Sequence, residues 1–175
     1  PNMHKALESN TQRILRLLNQ HFERYPYLLG DTPCVGDFSL FGPIFAHLHS
    51  DPSPEYLISQ YTNILAWANR LDSDSQQQHG SFLENDTVPD TLLELIALII
   101  EHQFPLINAS MNSITKWKLE NISMGRLPQK LGKAIIHIEE DRTERLNTTY
   151  PYWMFQQISD YYLNLTNLEK NEKRT

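Results

Sequence analysis

One stretch, Tyr27-Leu28-Leu29-Gly30-Asp31-Thr32-Pro33-Cys34-Val35-Gly36-Asp37-Phe38, constrains the fold of this chain more than any other. It reads as the end of one helix, a tight loop and the capped start of the next. A helix start leaves four backbone N–H groups without partners. The usual remedy is an oxygen-bearing side chain at the cap and an acid or amide three residues on, each satisfying the other's backbone. Here that pair is Cys34 and Asp37, with Pro33 and Phe38 in the two positions of a hydrophobic staple. Asp37 also puts negative charge at the positive end of the helix dipole. A thiol accepts hydrogen bonds poorly, so a cap on Cys34 is weaker than a hydroxyl cap by about 0.5–2 kcal/mol.

Helical spacing extends on both sides. From Met3 to Phe22, the residues Leu7, Thr11, Ile14, Leu15, Leu18 and Phe22 share one face, and Pro26 and Gly30 then stop the helix. After Cys34, the residues Phe38, Phe41, Ile44, Phe45 and Leu48 form a stripe expected to be buried. Pro43 within it predicts a bend, and Asp51-Pro52-Ser53-Pro54 a firm end. A third helix is expected from Glu55 to Leu71. The polar run from Asp72 to Gly80 buries nothing and reads as a linker. Beyond it, Val88-Pro89-Asp90-Thr91 opens a helix with proline in its first turn. Its segment Leu92 to Ile100, apolar nearly all round, predicts a central helix covered on most sides. Pro105 is expected to open a further helix, residues 134–148 to form a small hairpin, and Tyr152 to Leu168 a last helix.

At 175 residues and 40% hydrophobic, the chain suits one domain with a substantial core. Its net charge of −6 argues against nucleic acid as a partner. The short cluster Lys170, Lys173, Arg174 is no stripe for anionic lipid. The run Leu95 to Ile100 is too short to span a bilayer, so no membrane role is expected. The single cysteine, Cys34, excludes an internal disulfide and a paired-cysteine zinc site, and fits a reducing compartment. The opening Pro1-Asn2-Met3-His4 is polar and reads as no signal peptide, so the expected location is the cytoplasm. Five Asn-x-Ser/Thr matches, at Asn85, Asn108, Asn121, Asn147 and Asn164, are read as chance in an Asn-rich chain.

The run Leu29-Gly30-Asp31-x-Pro33-x-x-x-Asp37-Phe38 resembles the loop and capped helix at the centre of the all-helical, C-terminal domain of glutathione transferases. That family carries a Ser/Thr-x-x-Asp box here, which serves folding rather than catalysis; Cys34 departs from it. The segments Asp51-Pro52-x-Pro54 and Leu65-Ala66-Trp67-x-x-Arg70-Leu71 match the stretch after the capped helix in many members. Leu127-Pro128-x-x-Leu131-Gly132 and Tyr152-Trp153-Met154 resemble signatures of one larger subgroup with an extended C-terminal region.

The resemblance implies an all-α fold: a transferase C-terminal-like helical bundle with extra C-terminal helices and one small β-hairpin. Residues 1–71 would form the bundle core, 72–87 a polar linker, 88–169 further helices packed on the same domain, and 170–175 a charged tail. In the family, a thioredoxin-like domain binds glutathione and supplies the residue that activates its thiol. No alternating strand–helix pattern precedes the capped helix here, so no residue is carried over as catalytic, cofactor-binding or metal-ligating. The chain would be the hydrophobic-substrate side of a glutathione-dependent transferase, not catalytic alone. Its implied partners are a thioredoxin-like domain or partner subunit, a dimer mate and a small apolar electrophile, with glutathione as co-substrate. The alternative is a non-enzymatic protein–protein interaction module of the same fold. A bundle helix missing before Met3 would then leave apolar surface along Leu7, Ile14 and Leu18.

Other chemistry is sparse. Cys34 at a helix N-terminus is a candidate reactive thiol, against the plainer reading of a packed, inert replacement for a capping hydroxyl. His47 and His49, two apart on a helix, diverge and find no third metal ligand. Trp67, Trp117, Trp153, Tyr161 and Tyr162 suit either a core or an apolar cleft. Arg126 and Arg142 suit a carboxylate, or are ordinary surface charge. Glu139-Glu140 lie in an expected turn and make no general acid/base pair.

Overall fold

The computed structural model describes residues 3–50, 55–73, 80–122, 125–138 and 140–165. It is mainly helical with one two-stranded sheet. The helices are α1 (Met3–Arg24), α2 (Val35–Pro43), α3 (Glu55–Ile58), α4 (Thr62–Asp72), α5 (Asp90–Glu120) and α6 (Tyr150–Asn164); the strands are β1 (Lys130–Ile138) and β2 (Asp141–Thr148). The expected stop at Asp51-Pro52-Ser53-Pro54, most of the polar run after Asp72 and the charged tail lie outside the described residues. Two compact units are present: Glu8–Ala97, and Pro1–Leu7 with Leu98–Thr175.

In the first unit, Leu15, Leu18 and Phe22 of α1 pack with Ile64, Trp67 and Ala68 of α4 and with Leu92 and Leu95 of α5. Leu18 is only 1% exposed and Ile14 is half-buried against the core, whereas Leu7 is 44% exposed, so of the apolar surface expected along Leu7, Ile14 and Leu18 only Leu7 is left open. Pro43 has no N–H for the Ser39 carbonyl. The expected bend takes the form of a widening into a π-helical turn, Ile44–His49. Phe38, expected in the buried stripe, is 58% exposed; Phe41 and Phe45 pack inward on the core.

The single helix expected over Glu55 to Leu71 is two. The break falls before Tyr61, which caps α4 with φ −100° and ψ 72°. A long-range partner stabilises the new start: Asn19 of α1 accepts the Asn63 backbone N–H at 3.0 Å, and the Asn63 amide donates to the Asn19 carbonyl at 3.2 Å.

Between α1 and α2 the chain turns through Gly30, whose φ is +127°. The Leu83 N–H donates to the Leu29 carbonyl at 3.0 Å and the Asp31 N–H to the Ser81 carbonyl at 2.9 Å. The end of the 72–87 segment is thus paired with this loop. A Cβ at position 30 would lie 2.8 Å from the Ser81 carbonyl oxygen, so both the dihedral and the close approach require glycine.

Two expectations about α5 fail. Pro105 lies inside one continuous helix rather than opening a second. Proline removes only the bond to the Glu101 carbonyl, and Leu106 and Ile114 beyond it are buried, so packing offsets that loss. Nor is the apolar segment covered on most sides: Leu92, Leu95 and Leu98 are buried, whereas Leu93 (57%) and Ile99 (52%) are exposed. As one helix, α5 is long and apolar enough to cross a membrane by length and composition, with a mean hydropathy of 1.4 in its best window. The short run Leu95 to Ile100 understates this.

In the second unit the hairpin expected over 134–148 is present as β1 and β2, antiparallel, with an irregularity between Lys130 and Lys133. Gly132 sits there at φ +94°. Ala134 and Ile138 are buried, while Lys133 on the open face pairs with Glu144 at 2.6 Å. A buried polar clamp fixes the hairpin to α5. The Ser110 hydroxyl lies 2.8 Å from Asn147 Oδ1 and 2.9 Å from both the Leu106 and Thr148 carbonyl oxygens. The Asn147 amide donates to the Ala109 carbonyl at 3.2 Å and to Ser113 Oγ at 3.0 Å. The last helix starts at Tyr150, two residues earlier than expected, with Pro151 in its first turn. Edge-to-face contact between Phe104 and Phe155, at 5.6 Å, joins α6 to α5.

Candidate functional site

The loop-and-cap motif forms a buried polar centre. Asp37 is fully buried. One oxygen, Oδ1, accepts the Leu28 N–H at 3.1 Å and the Trp67 indole N–H at 2.9 Å. The other, Oδ2, accepts the Cys34 N–H at 2.9 Å. The Cys34 sulfur faces the Asp37 N–H in return, which completes the box, although sulfur is the weak member. All the polar capacity of Asp37 is directed at α2, the preceding loop and α4. It holds structure and presents no free oxygen face to a substrate.

Cys34 is half-buried. Burial pushes its thiol up, and hydrogen bonding to Asp37 adds in the same direction. This outweighs the N–H groups of Asp37 and Gly36, which act the other way. The helix N-terminus therefore does not lower the pKa of this sulfur, in keeping with the plainer of the two sequence readings, a packed replacement for a capping hydroxyl. Pro33 is half-buried beside it; Phe38 covers little.

Sequence reasoning missed His21, which is fully buried at the end of α1. Its Nε2 lies 3.1 Å from the Tyr27 carbonyl, which only accepts, so Nε2 carries the hydrogen. Its Nδ1, 2.8 Å from Thr91 Oγ1, then accepts from that hydroxyl. The neutral ring ties α1 to the loop and to α5. Burial lowers its pKa from 6.5, against smaller opposing effects of the Tyr27 hydrogen bond and the Asp37 charge. The unfolded chain therefore binds a proton here that the folded chain resists. Stability should fall as pH drops below about 6.5 and flatten once the folded ring protonates. Denaturant titrations between pH 7.5 and 4.5 would show this slope reduced in His21→Gln relative to the parent; an unchanged slope would dismiss the assignment.

The remaining candidates scatter. Trp67 is core, Trp117 is half-buried, and Trp153, Tyr161 and Tyr162 are exposed on α6. His47 and His49 are exposed in the π-helical turn. Among the described residues, no group of three or more His, Cys, Asp or Glu side chains is placed to hold a metal ion. Arg126 and Arg142 are exposed, with Arg142 opposite His137 in the hairpin. Glu140 is exposed in the hairpin turn, and Glu139 lies outside the described residues.

Among the described residues, two concavities stand out. In the first unit, Leu29, Leu83, Val88 and Phe82 line a shallow one of about 300 Å³. It adjoins Asn85 and Asp86, whose φ values of 58° and 54° are left-handed. In the second unit a cleft of about 280 Å³ lies between the end of α5 and the start of α6. Met111, Ile114 and Lys118 face it from α5, and Tyr152 and Trp153 from α6. No protein-family model, no curated protein and no solved structure matches this chain.

Proposed function

We propose that this chain is the helical, hydrophobic-substrate side of a glutathione transferase-like protein, without catalytic residues of its own. One observation carries the reading. The two motifs that bear the resemblance, Leu29 to Phe38 and Leu65 to Leu71, lie about thirty residues apart in sequence yet meet in space: Trp67 and Asp37, 30 apart, are hydrogen-bonded. Arg70 donates to the Pro26 carbonyl at 2.7 Å, with its guanidinium 5.7 Å from the Tyr27 ring centre. A motif shared for folding reasons should close on itself in this way.

On this reading glutathione is the co-substrate, held by a thioredoxin-like domain or partner subunit. The electrophile is small and apolar, the protein is cytoplasmic, and its assembly is a dimer. Glu94 and Glu101 within α5 count against lipid as its environment, because a charge at the centre of a bilayer costs roughly 2.5–3.5 kcal/mol. Incubated with glutathione and a chromogenic aryl halide, the chain alone should give the buffer rate. Turnover should appear when a glutathione-binding thioredoxin-like domain is joined ahead of it. Activity of the chain alone that survives Cys34→Ser would overturn the proposal.

A second reading, the non-enzymatic interaction module, is favoured by α6. No described residue of this helix is buried, and Tyr150, Met154 and Ile158, spaced four apart on one face, are 44–69% exposed. A monomer at every concentration in sedimentation removes the support for this reading, and the aryl halide assay with the joined thioredoxin-like domain separates it from the first.

A further inference from the structure

The cleft in the second unit has a chemistry that the transferase reading does not use. Met111, Ile114, Thr115 and Lys118 recur at i, i+3, i+4 and i+7 and so share one face of α5. Thr149, Tyr152, Trp153 and Gln156 repeat the same spacing at the start of α6. These two faces line a volume of about 280 Å³, closed on one side by Leu127. That is room for a ligand of about a dozen heavy atoms, at the lower end of small-molecule sites.

The walls mix apolar side chains (Met111, Ile114, Leu127, Trp153) with neutral polar ones (Thr115, Thr149, Gln156), and the charge is of one sign. Lys118 lines the cleft and, among the described residues, no carboxylate does. Lys116 pairs with Glu120 at 3.9 Å and Lys133 with Glu144 at 2.6 Å; among the described residues Lys118 has no such partner. The Thr115 hydroxyl is occupied by the Met111 carbonyl at 2.9 Å, and among the described lining residues Lys118 is the charged donor. The start of α6 contributes positive potential as well, because Thr149 does not cap it with its side chain. Trp153, 53% exposed, supplies aromatic surface to the lining.

We propose that this cleft binds a small amphipathic carboxylate, its apolar body against Ile114, Leu127 and Trp153 and its charged end at Lys118. Arg126, the carboxylate candidate suggested by the sequence, precedes Leu127 but does not line the cleft.

Calorimetric titration of the whole chain, without glutathione, with phenylbutyrate, phenylbutanol and phenylbutylamine tests it. These probes share an apolar body and differ in charge. Phenylbutyrate should bind one saturable site with Kd on the order of 1 mM or below, followed by the alcohol and then the amine. Lys118→Gln should weaken phenylbutyrate by about fivefold and leave the alcohol unchanged. Lys133→Gln should change neither. Gln156→Trp, which fills the cleft, should abolish binding of all three while leaving the helical circular dichroism intact. Equal affinities for the three probes, no saturable heat, or an inert Lys118→Gln would each overturn the proposal. Glutathione is absent, so failure here leaves the transferase reading standing, and the aryl halide assay reads that separately.

Discussion

Asp37→Ala is expected to lower the unfolding free energy by about 3–6 kcal/mol, a large share of the roughly 5–15 kcal/mol typical of a domain. The carboxylate accepts three N–H donors, from Leu28, Cys34 and Trp67, and is itself fully buried. Removing it orphans all three, and an unpaired buried donor costs about 1–3 kcal/mol. The indole N–H bears the largest share, because Trp67 is fully buried and water has no route to it. Leu28 and Cys34 are only half-buried, and water can replace part of their loss. Asp37→Asn should fall between: its amide oxygen can keep the Leu28 and Trp67 bonds, but its NH₂ then faces the Cys34 N–H, donor against donor. Urea unfolding at neutral pH should rank the alanine variant least stable, then the asparagine variant, then the parent. A loss below about 1 kcal/mol for Asp37→Ala would mean that the carboxylate is not what holds the loop.

The features legible in the sequence are those whose cause is local. The Cys34–Asp37 box needs only residues three apart, and the hairpin needs only two extended runs and a turn. Both are present where expected. The features hidden from the sequence depend on distant partners. The break before Tyr61 is stabilised by Asn19, 44 residues upstream of Asn63. His21, Ser110 and Asn147 look like ordinary polar residues until Thr91 or Ala109 is brought beside them. Pro105 misleads for a related reason: its local cost is one hydrogen bond, and the buried side of α5 outweighs it. The exposure of Leu93 and Ile99 carries a different lesson. An all-round apolar helix signals that something should cover it, and the described residues do not supply enough cover. The cleft is half visible in the sequence. Trp153 stands out there and Lys118 does not, because a single lysine has no motif, and only the juxtaposition of α5 with α6 gives it one.

Trp67→Ala should cost about 3–5 kcal/mol, comparable to the loss of Asp37, because the ring fills the centre of the first unit. It stacks on Phe22 at 4.8 Å and meets Phe41 edge-on at 6.2 Å. Alanine there leaves a cavity between α1, α2 and α4 that none of these helices can close alone. Trp67→Phe keeps much of the volume and the stacking while deleting the N–H that Asp37 accepts. A double-mutant cycle then separates packing from polarity. With Asp37 present, Trp67→Phe removes a charge-assisted hydrogen bond as well as some contact; in the Asp37→Ala background it loses the contact but also deletes the orphaned indole N–H, which relieves that penalty. The second cost should be smaller than the first by about 2–3 kcal/mol. Equal costs would show that the 2.9 Å contact contributes no coupling. The two resemblance-bearing motifs would then be neighbours without being partners, and the transferase reading would lose the observation that carries it.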